Sequence, residues 1–199
     1  MYEVTNNTST FISRKQFSSS DRHHAAMTNA TTHEPLLTDA QRQEFIDAMS
    51  VAVTGVNLIT TDGRGGRYGV TVSAMSSVSA DPPMLLVCIN RRSPARFAIL
   101  SNRVFCVNVL STRQRHLADS FAGKAEHGNA YDFSIGQWNQ TSIDVPRLAD
   151  AASSFDCVLE HAYQAGSHTI FVGRVTAANE GKCSPLLYTK RSYGSPCSP

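Results

Sequence analysis

The 199-residue chain lacks the features that would send it to a membrane, a nucleic acid or a metal. No stretch approaches the roughly 18 consecutive apolar residues of a membrane span, and the first thirty residues hold no apolar run of the kind a secretory signal needs. A soluble, cytoplasmic protein is therefore expected. Charge of one sign is missing too: 18 basic and 16 acidic side chains leave a formal net charge of +2. No run of Lys or Arg tracks a phosphate backbone or an anionic membrane surface, which excludes both as expected partners. The five cysteines (Cys88, Cys106, Cys157, Cys183, Cys197) are far apart and form no C-x-x-C pair. Three of them interrupt apolar runs, where free Cys acts as a small hydrophobe, and this suits a reducing compartment. Close His, Cys or carboxylate ligands are lacking apart from His23 and His24 in a polar tail, so no metal site is expected. Nor does any G-x-G-x-x-G follow a strand. "GRGGRYG" (63–69) opens no helix and reads as a hairpin turn.

What is present is enough for one domain: 41% of the residues are hydrophobic. Residues 1–34 are rich in Ser, Thr and Asn without apolar periodicity, and are expected to be a disordered extension. The domain is expected over 35–193, with a short tail at 194–199. It opens at "TDAQRQEFIDAM", where Thr38 and Gln41 make a capping-box pattern and Phe45, Ile46 and Met49 an apolar stripe. A hairpin with a long loop follows over 51–73. The continuous apolar run "MLLVCIN" (84–90) predicts a strand buried on both faces. Pro94 suits the first turn of a helix carrying Phe97 and Leu100 inward. "RVFCVNVL" (103–110) is a strand. Ser111 and Gln114 form a second capping box, and Gly123 stops the helix that follows. Three more strands are expected in "SFDCVLEHAYQ", "HTIFVGRVTAA" and "PLLYTKRSY", the first with the half-polar alternation of an antiparallel sheet or barrel. Few, short helices among many strands do not repeat a βαβ rhythm.

One stretch departs from ordinary core design. "GVTVSAMSSVSA" (69–80) dissolves into hydroxyls and alanines just before the most apolar strand, where larger side chains would seal a core. Such a backbone is open to close approach by a ligand. Local hydrogen bonding of the hydroxyls is the plainer reading of each Ser taken singly.

"FIDAMSVAVTGVNLITTDG", "YGVTVSAMSSVSADPPMLLVCINRRS", "FCVNVLS", "SFAGK", "SFDCVLEHAYQAGSHTIFVGRV" and "PLLYTKRSY" together resemble the flavin reductase family, over about residues 42–193. The likeness is to the small reductase components of two-component flavin monooxygenases, of the 4-hydroxyphenylacetate and pyrimidine-degradation types. The resemblance implies a mainly β fold with a few short helices, the antiparallel FMN-binding split β-barrel. It further implies that Thr71, Val72, Ser73, Ala74, Ser76 and Ser77 line the flavin, small residues admitting the ring and hydroxyls holding phosphate and ring edges. Asn90 and Ser93 match a loop closing over the flavin phosphate, where Arg91 and Arg92 would add charge, although exposed Arg pairs are commonly just solvated. Phe121, Ala122, Gly123 and Lys124 match the segment that caps the ring, and Gly and Lys also suit an ordinary helix end. His168 matches the residue set against the nicotinamide, and Tyr193 and Arg191 border the pocket. The chain departs from the pattern at "AEHGNAYDF" (125–133), where relatives carry an acidic-Arg-Phe element.

The implied activity is reduction of free FMN or FAD by NADH or NADPH, with hydride passing from nicotinamide C4 to flavin N5. Reduced flavin then diffuses to a separate monooxygenase, and the protein is a homodimer. A non-catalytic flavin- or haem-binding protein shares the architecture, as does a pyridoxamine phosphate oxidase-like enzyme, whose substrate-phosphate motifs have no match here.

Overall fold

Two capping boxes place the first and third helices. Thr38 Oγ1 accepts from Gln41 N at 3.2 Å while Gln41 Oε1 accepts from Thr38 N at 2.9 Å, and helix α1 (Asp39–Ser50) runs from this cap. Downstream, Ser111 N donates to Gln114 Oε1 at 3.0 Å, opening a 3-10 turn (Thr112–Gln114) that leads into α3 (Arg115–Phe121). Gly123, at φ 75°, ends that helix in the left-handed region that favours glycine. The structure is a computed structural model that describes residues 37–126 and 128–197. The extension expected over 1–34 lies outside the described residues. Contacts divide the chain after Leu37, and all the elements belong to the unit that begins at Thr38.

Between those helices the chain forms β1 (Thr54–Gly55), β2 (Asn57–Thr61), β3 (Tyr68–Val72), β4 (Met75–Ala80), β5 (Pro83–Asn90), helix α2 (Pro94–Asn102) and β6 (Val104–Val109). After α3 come β7 (Trp138–Asn139), β8 (Arg147–Leu148), β9 (Ser153–Ala165), β10 (His168–Glu180), β11 (Leu187–Thr189) and β12 (Ser192–Gly194). Seven strands make one antiparallel sheet in the order β3-β2-β6-β9-β10-β5-β4. Its two edge strands, β3 and β4, are consecutive in sequence and joined only by Ser73 and Ala74. In a flat sheet six strand spacings would hold those edges about 29 Å apart, whereas the three-residue step from Val72 to Met75 spans at most about 10 Å. The sheet must therefore curl into a barrel with its seam at Ser73–Ala74. Cys88 N donates to Ala74 O at 3.1 Å beside that seam.

The barrel interior is filled by Ile59, Val87, Ile89, Phe105, Val107 and Phe171, all without solvent exposure, with Ile99 of α2 joining them. Gly173 of β10 faces this core at a register shift, where a Cβ would stand 2.5 Å from Phe105 Cζ. A second apolar cluster packs α3 outside the barrel: Leu58, Leu110, Leu117 and Phe121, flanked by Phe133 and Trp138. Phe133 meets Phe121 edge to face at 5.0 Å.

Several local expectations are corrected. β5 is not buried on both faces: Leu85, Val87 and Ile89 are buried, while Met84, Leu86 and Cys88 are only half-buried on the outer face. On α2 the inward residues are Ala95, Ala98 and Ile99. Leu100 is half-buried and packs against the barrel core as expected, but Phe97 is 58% exposed, because the face toward the sheet is taken by Ala95, Ala98 and Ile99. The stripe Phe45, Ile46 and Met49 on α1 forms but faces outward. In β9 the polar partner of the alternation, Asp156, is fully buried and ion-paired to Arg147 of β8. "PLLYTKRSY" is not one strand. Lys190 and Arg191 take φ 45° and 60°, the two left-handed positions of a tight hairpin turn, and fold it into β11 and β12, a hairpin whose β11 pairs with β1.

Candidate functional site

The barrel seam positions the site. Thr71, at the end of β3, spends its hydroxyl hydrogen on Ala118 O of α3 at 2.9 Å, locking strand to helix. Beyond it Ser73 and Ala74 are exposed and small, and Ser73 makes no side-chain hydrogen bond among the described residues. The strand end Thr71–Ser73 is shared by two cavities, and Ala74 lines the smaller of them.

The larger, about 460 Å³, lies between the end of β3, the helix α3 and the β11–β12 hairpin, and is lined by residues including Thr71, Val72, Ser73, Lys124, Arg191 and Tyr193. Tyr193 is fixed within it: its Oη donates to Asp119 Oδ1 at 2.7 Å, the Arg115 guanidinium lies 5.0 Å from its ring centroid, and Tyr188 packs edge to face at 5.3 Å. Burial, reinforced by the Asp119 carboxylate, pushes the Tyr193 phenol well above its usual range, so it remains a neutral hydrogen-bonding group. Three cations, Arg115, Lys124 and Arg191, border this cleft against one carboxylate, Asp119; Arg191 also reaches Asp47 at 2.8 Å. The smaller cavity, about 250 Å³, is lined by Thr71, Ser73, Ala74, Cys88, Asn90 and His168. His168 opens β10 directly opposite Asn90 of β5, and its Nδ1 lies 2.9 Å from Ser167 Oγ. Burial raises the Cys88 thiol, so no thiolate is available there at neutral pH.

Of the residues singled out from sequence, Thr71, Val72, Ser73, Ala74, Asn90, Ala122, Lys124, His168, Arg191 and Tyr193 line one or both cavities. Others stand elsewhere. Phe121 has no exposure and belongs to the second core rather than to a ring cap. Ser76 and Ser77 are exposed on the edge strand β4, outside both cavities, and Ser76 Oγ bonds Ser77 O. Gly123 serves the helix end. Ser93 stands at the N-cap position of α2 without a side-chain capping hydrogen bond, with Arg91 and Arg92 just before it on the surface. Gly63, Gly65 and Gly66 form the β2–β3 turn, where Gly65 N donates to Asn102 Oδ1 at 2.6 Å, and Gly69 lies within β3. Sequence reasoning missed Arg115 and Asp119. Their i, i+4 spacing on the α3 helix was the available signal.

Residues 49–196 match the family described as flavin reductase like domain. The chain belongs to that family. It is 40% identical over 156 residues to the FMN reductase (NADH) RutF of Bradyrhizobium diazoefficiens, an alignment covering 78% of this chain and 86% of the relative. The fold superposes on the flavin reductase PheA2 with a TM-score of 0.73 at 31% identity, over 81% of this chain and all of that one. It also superposes on the styrene monooxygenase flavin reductase of Pseudomonas putida S12, with a TM-score of 0.69 at 25% identity, over 78% and 99% of the two chains. The mainly antiparallel split barrel expected from the resemblance is thus the fold of the family, and the two cavities sit at the split. Among the described residues no helix is long and apolar enough to cross a membrane, and no cluster of three or more metal-ligating side chains occurs.

Proposed function

We propose that this chain is an NADH-dependent FMN reductase that reduces free flavin and supplies it to a separate monooxygenase. The observation that carries the reading is the wall Thr71–Ser73, shared by two adjacent cavities, which lets two planar ring systems lie against the same stretch of backbone. The similarity to relatives named FMN reductase (NADH) and styrene monooxygenase flavin reductase supports the choice of ligands and of the downstream partner.

The residues fit a flavin in the larger cleft. Val72 and Ser73 leave a wall that an isoalloxazine can approach, the Ser73 hydroxyl makes no hydrogen bond among the described residues, Tyr193 offers an aromatic edge, and Arg115 and Lys124 supply positive charge. His168 fits the nicotinamide in the smaller cavity. Reduced nicotinamide supplies a hydride and the flavin accepts it at N5; the protein contributes position and exclusion of water. Ser167 holds the His168 ring by Nδ1, leaving Nε2 to meet a carboxamide. Asp119 keeps Tyr193 neutral and fixed. No side chain is required to move a proton for hydride transfer.

Purified protein with NADH should consume NADH on addition of flavin, fastest with FMN among FMN, FAD and riboflavin. A rate equal to the enzyme-free control with all three would reject the reading. The five cysteines are free, in keeping with the reducing cytoplasm.

We also infer a homodimer, supported by the outward apolar residues Phe45, Ile46 and Met49 of α1, an unusual exposure for a monomer. Sedimentation should give a dimer that Phe45→Ser with Met49→Ser converts to monomer. A wild-type monomer would overturn it.

A further inference from the structure

Asn57 stands where the chain passes from the small sheet to the barrel sheet. Gly55 ends β1 and lies opposite Leu187 of β11, whereas Asn57 opens β2 and lies opposite Val72 of β3. Val56, between them, donates from its N to Leu186 O at 3.0 Å and lines the larger cleft. That cleft takes one wall from the barrel sheet, at Val72 and Ser73, and another from the small sheet, at Tyr188, Ser192 and Tyr193. The Asn57 side chain reaches both sheets. Its Nδ2 carries two hydrogens, and donates to Val72 O at 3.4 Å and to Gly55 O at 3.3 Å. The amide cannot be turned over, since Oδ1 would then face two carbonyl oxygens. Asn57 is 1% exposed, beside the fully buried Leu58 and Ile59, and its Oδ1 has no hydrogen-bond partner among the described residues. A buried acceptor left unpaired lowers stability, and asparagine is depleted in strands. A position that served packing alone would hold an apolar residue.

We propose that Asn57 is a positioning residue that ties the two walls of the larger cleft together and so sets its width for a flavin ring. Asn57 lines neither cavity and acts through the two backbone carbonyls it holds. One planar amide bonded to both strands keeps them at a fixed separation, and holding a site at its working width before the ligand arrives is preorganisation, which strengthens binding. The smaller cavity takes no wall from the small sheet, so the effect falls on the flavin more than on NADH. The inference rests on the reductase reading for the identity of the ligand alone.

Asn57→Leu keeps the branched shape of the side chain and removes both donors together with the unpaired acceptor. Its melting temperature should equal or exceed that of the wild type. FMN binding, titrated without NADH by quenching of flavin fluorescence, should nevertheless weaken about tenfold, the scale of losing a hydrogen-bonded constraint. In turnover, KM for FMN should rise by a similar factor and KM for NADH by less. In the free protein, amide hydrogen exchange over residues 54–56 and 186–189 should quicken while β6 and β9 keep their protection. Should the leucine variant fail to fold, Asn57→Ala removes the same bonds without added bulk and is read in the same way. FMN affinity and exchange equal to those of the wild type would overturn the inference and leave the reductase reading intact. A lower melting temperature with unchanged FMN affinity in the folded variant would mark a purely structural asparagine. Conversely, a protein that oxidises no NADH, but whose Asn57→Leu variant exchanges faster and binds FMN more weakly, would lose the reductase reading and keep the tie.

Discussion

Replacing His168 with alanine is expected to lower kcat/KM for NADH about tenfold to a hundredfold, the scale of removing one hydrogen-bonding or packing contact to a bound group, with little change in the flavin constant. The separation follows from placement. His168 lines the smaller cavity and not the larger one. It is exposed, and its ring touches only Ser167 Oγ among the hydrogen-bond partners described, so little stability rests on it. Titrating NADH and FMN separately against His168→Ala, with a melting curve alongside, distinguishes the two roles. Unchanged NADH kinetics in a folded variant would remove the nicotinamide contact from this chain. A fall in melting temperature with both constants worsened together would mark a structural histidine.

The largest effect on stability is expected at Arg147. Its guanidinium pairs with both oxygens of Asp156, a carboxylate with no solvent exposure, while the Arg147 side chain keeps 20% of its own. Arg147→Met leaves that carboxylate buried without a counter-charge, a loss of about 3–5 kcal/mol. For a domain of this size it corresponds to a drop of roughly 6–20 °C in melting temperature. The pair joins the short strand β8 to β9, next to the buried thiol of Cys106, which burial and the Asp156 charge hold far above the ordinary thiol range. Adding Asp156→Leu to Arg147→Met should recover most of the loss, because an apolar pair needs no counter-charge. Scanning calorimetry on the wild type, single and double variants measures this. A single-variant loss below about 1 kcal/mol, typical of exposed pairs, would show that water reaches Asp156.

Local chemistry was legible in the sequence where short-range rules govern. Thr38–Gln41 and Ser111–Gln114 announced their helix starts because a capping box is complete within four residues. The weakness of 69–80 as core packing was also visible. Its cause was not, since only the strand order reveals that β3 and β4 are the two edges of one sheet meeting at Ser73–Ala74. Long-range packing likewise decided the misplaced residues. Phe97 has a partner in the helical period but loses it because the sheet accepts Ala95, Ala98 and Ile99. Phe121 sits beside the site in sequence and behind it in space, drawn into the cluster with Phe133 and Trp138. Asp156 looked like a solvent-facing alternation partner because its counter-charge, Arg147, lies on a two-residue strand too short to show a period. Arg191 and Tyr193 reach the larger cleft only because a Lys-Arg turn adopts left-handed backbone, which composition does not foretell.

On the proposed function, a strand end that borders two adjoining recesses constrains how such a protein can be altered. Thr71, Val72 and Ser73 face both cavities, so a change of bulk or polarity there alters the fit of two ligands in one stroke. Each recess can be retuned independently from residues that line it alone, such as Arg115 and Tyr193 on one side and Cys88 and His168 on the other. The strand end itself is then the least adjustable part of the surface, and the Thr71 bond to Ala118 extends that rigidity into α3. For an engineer, the seam is a fixed datum from which the two sides are cut.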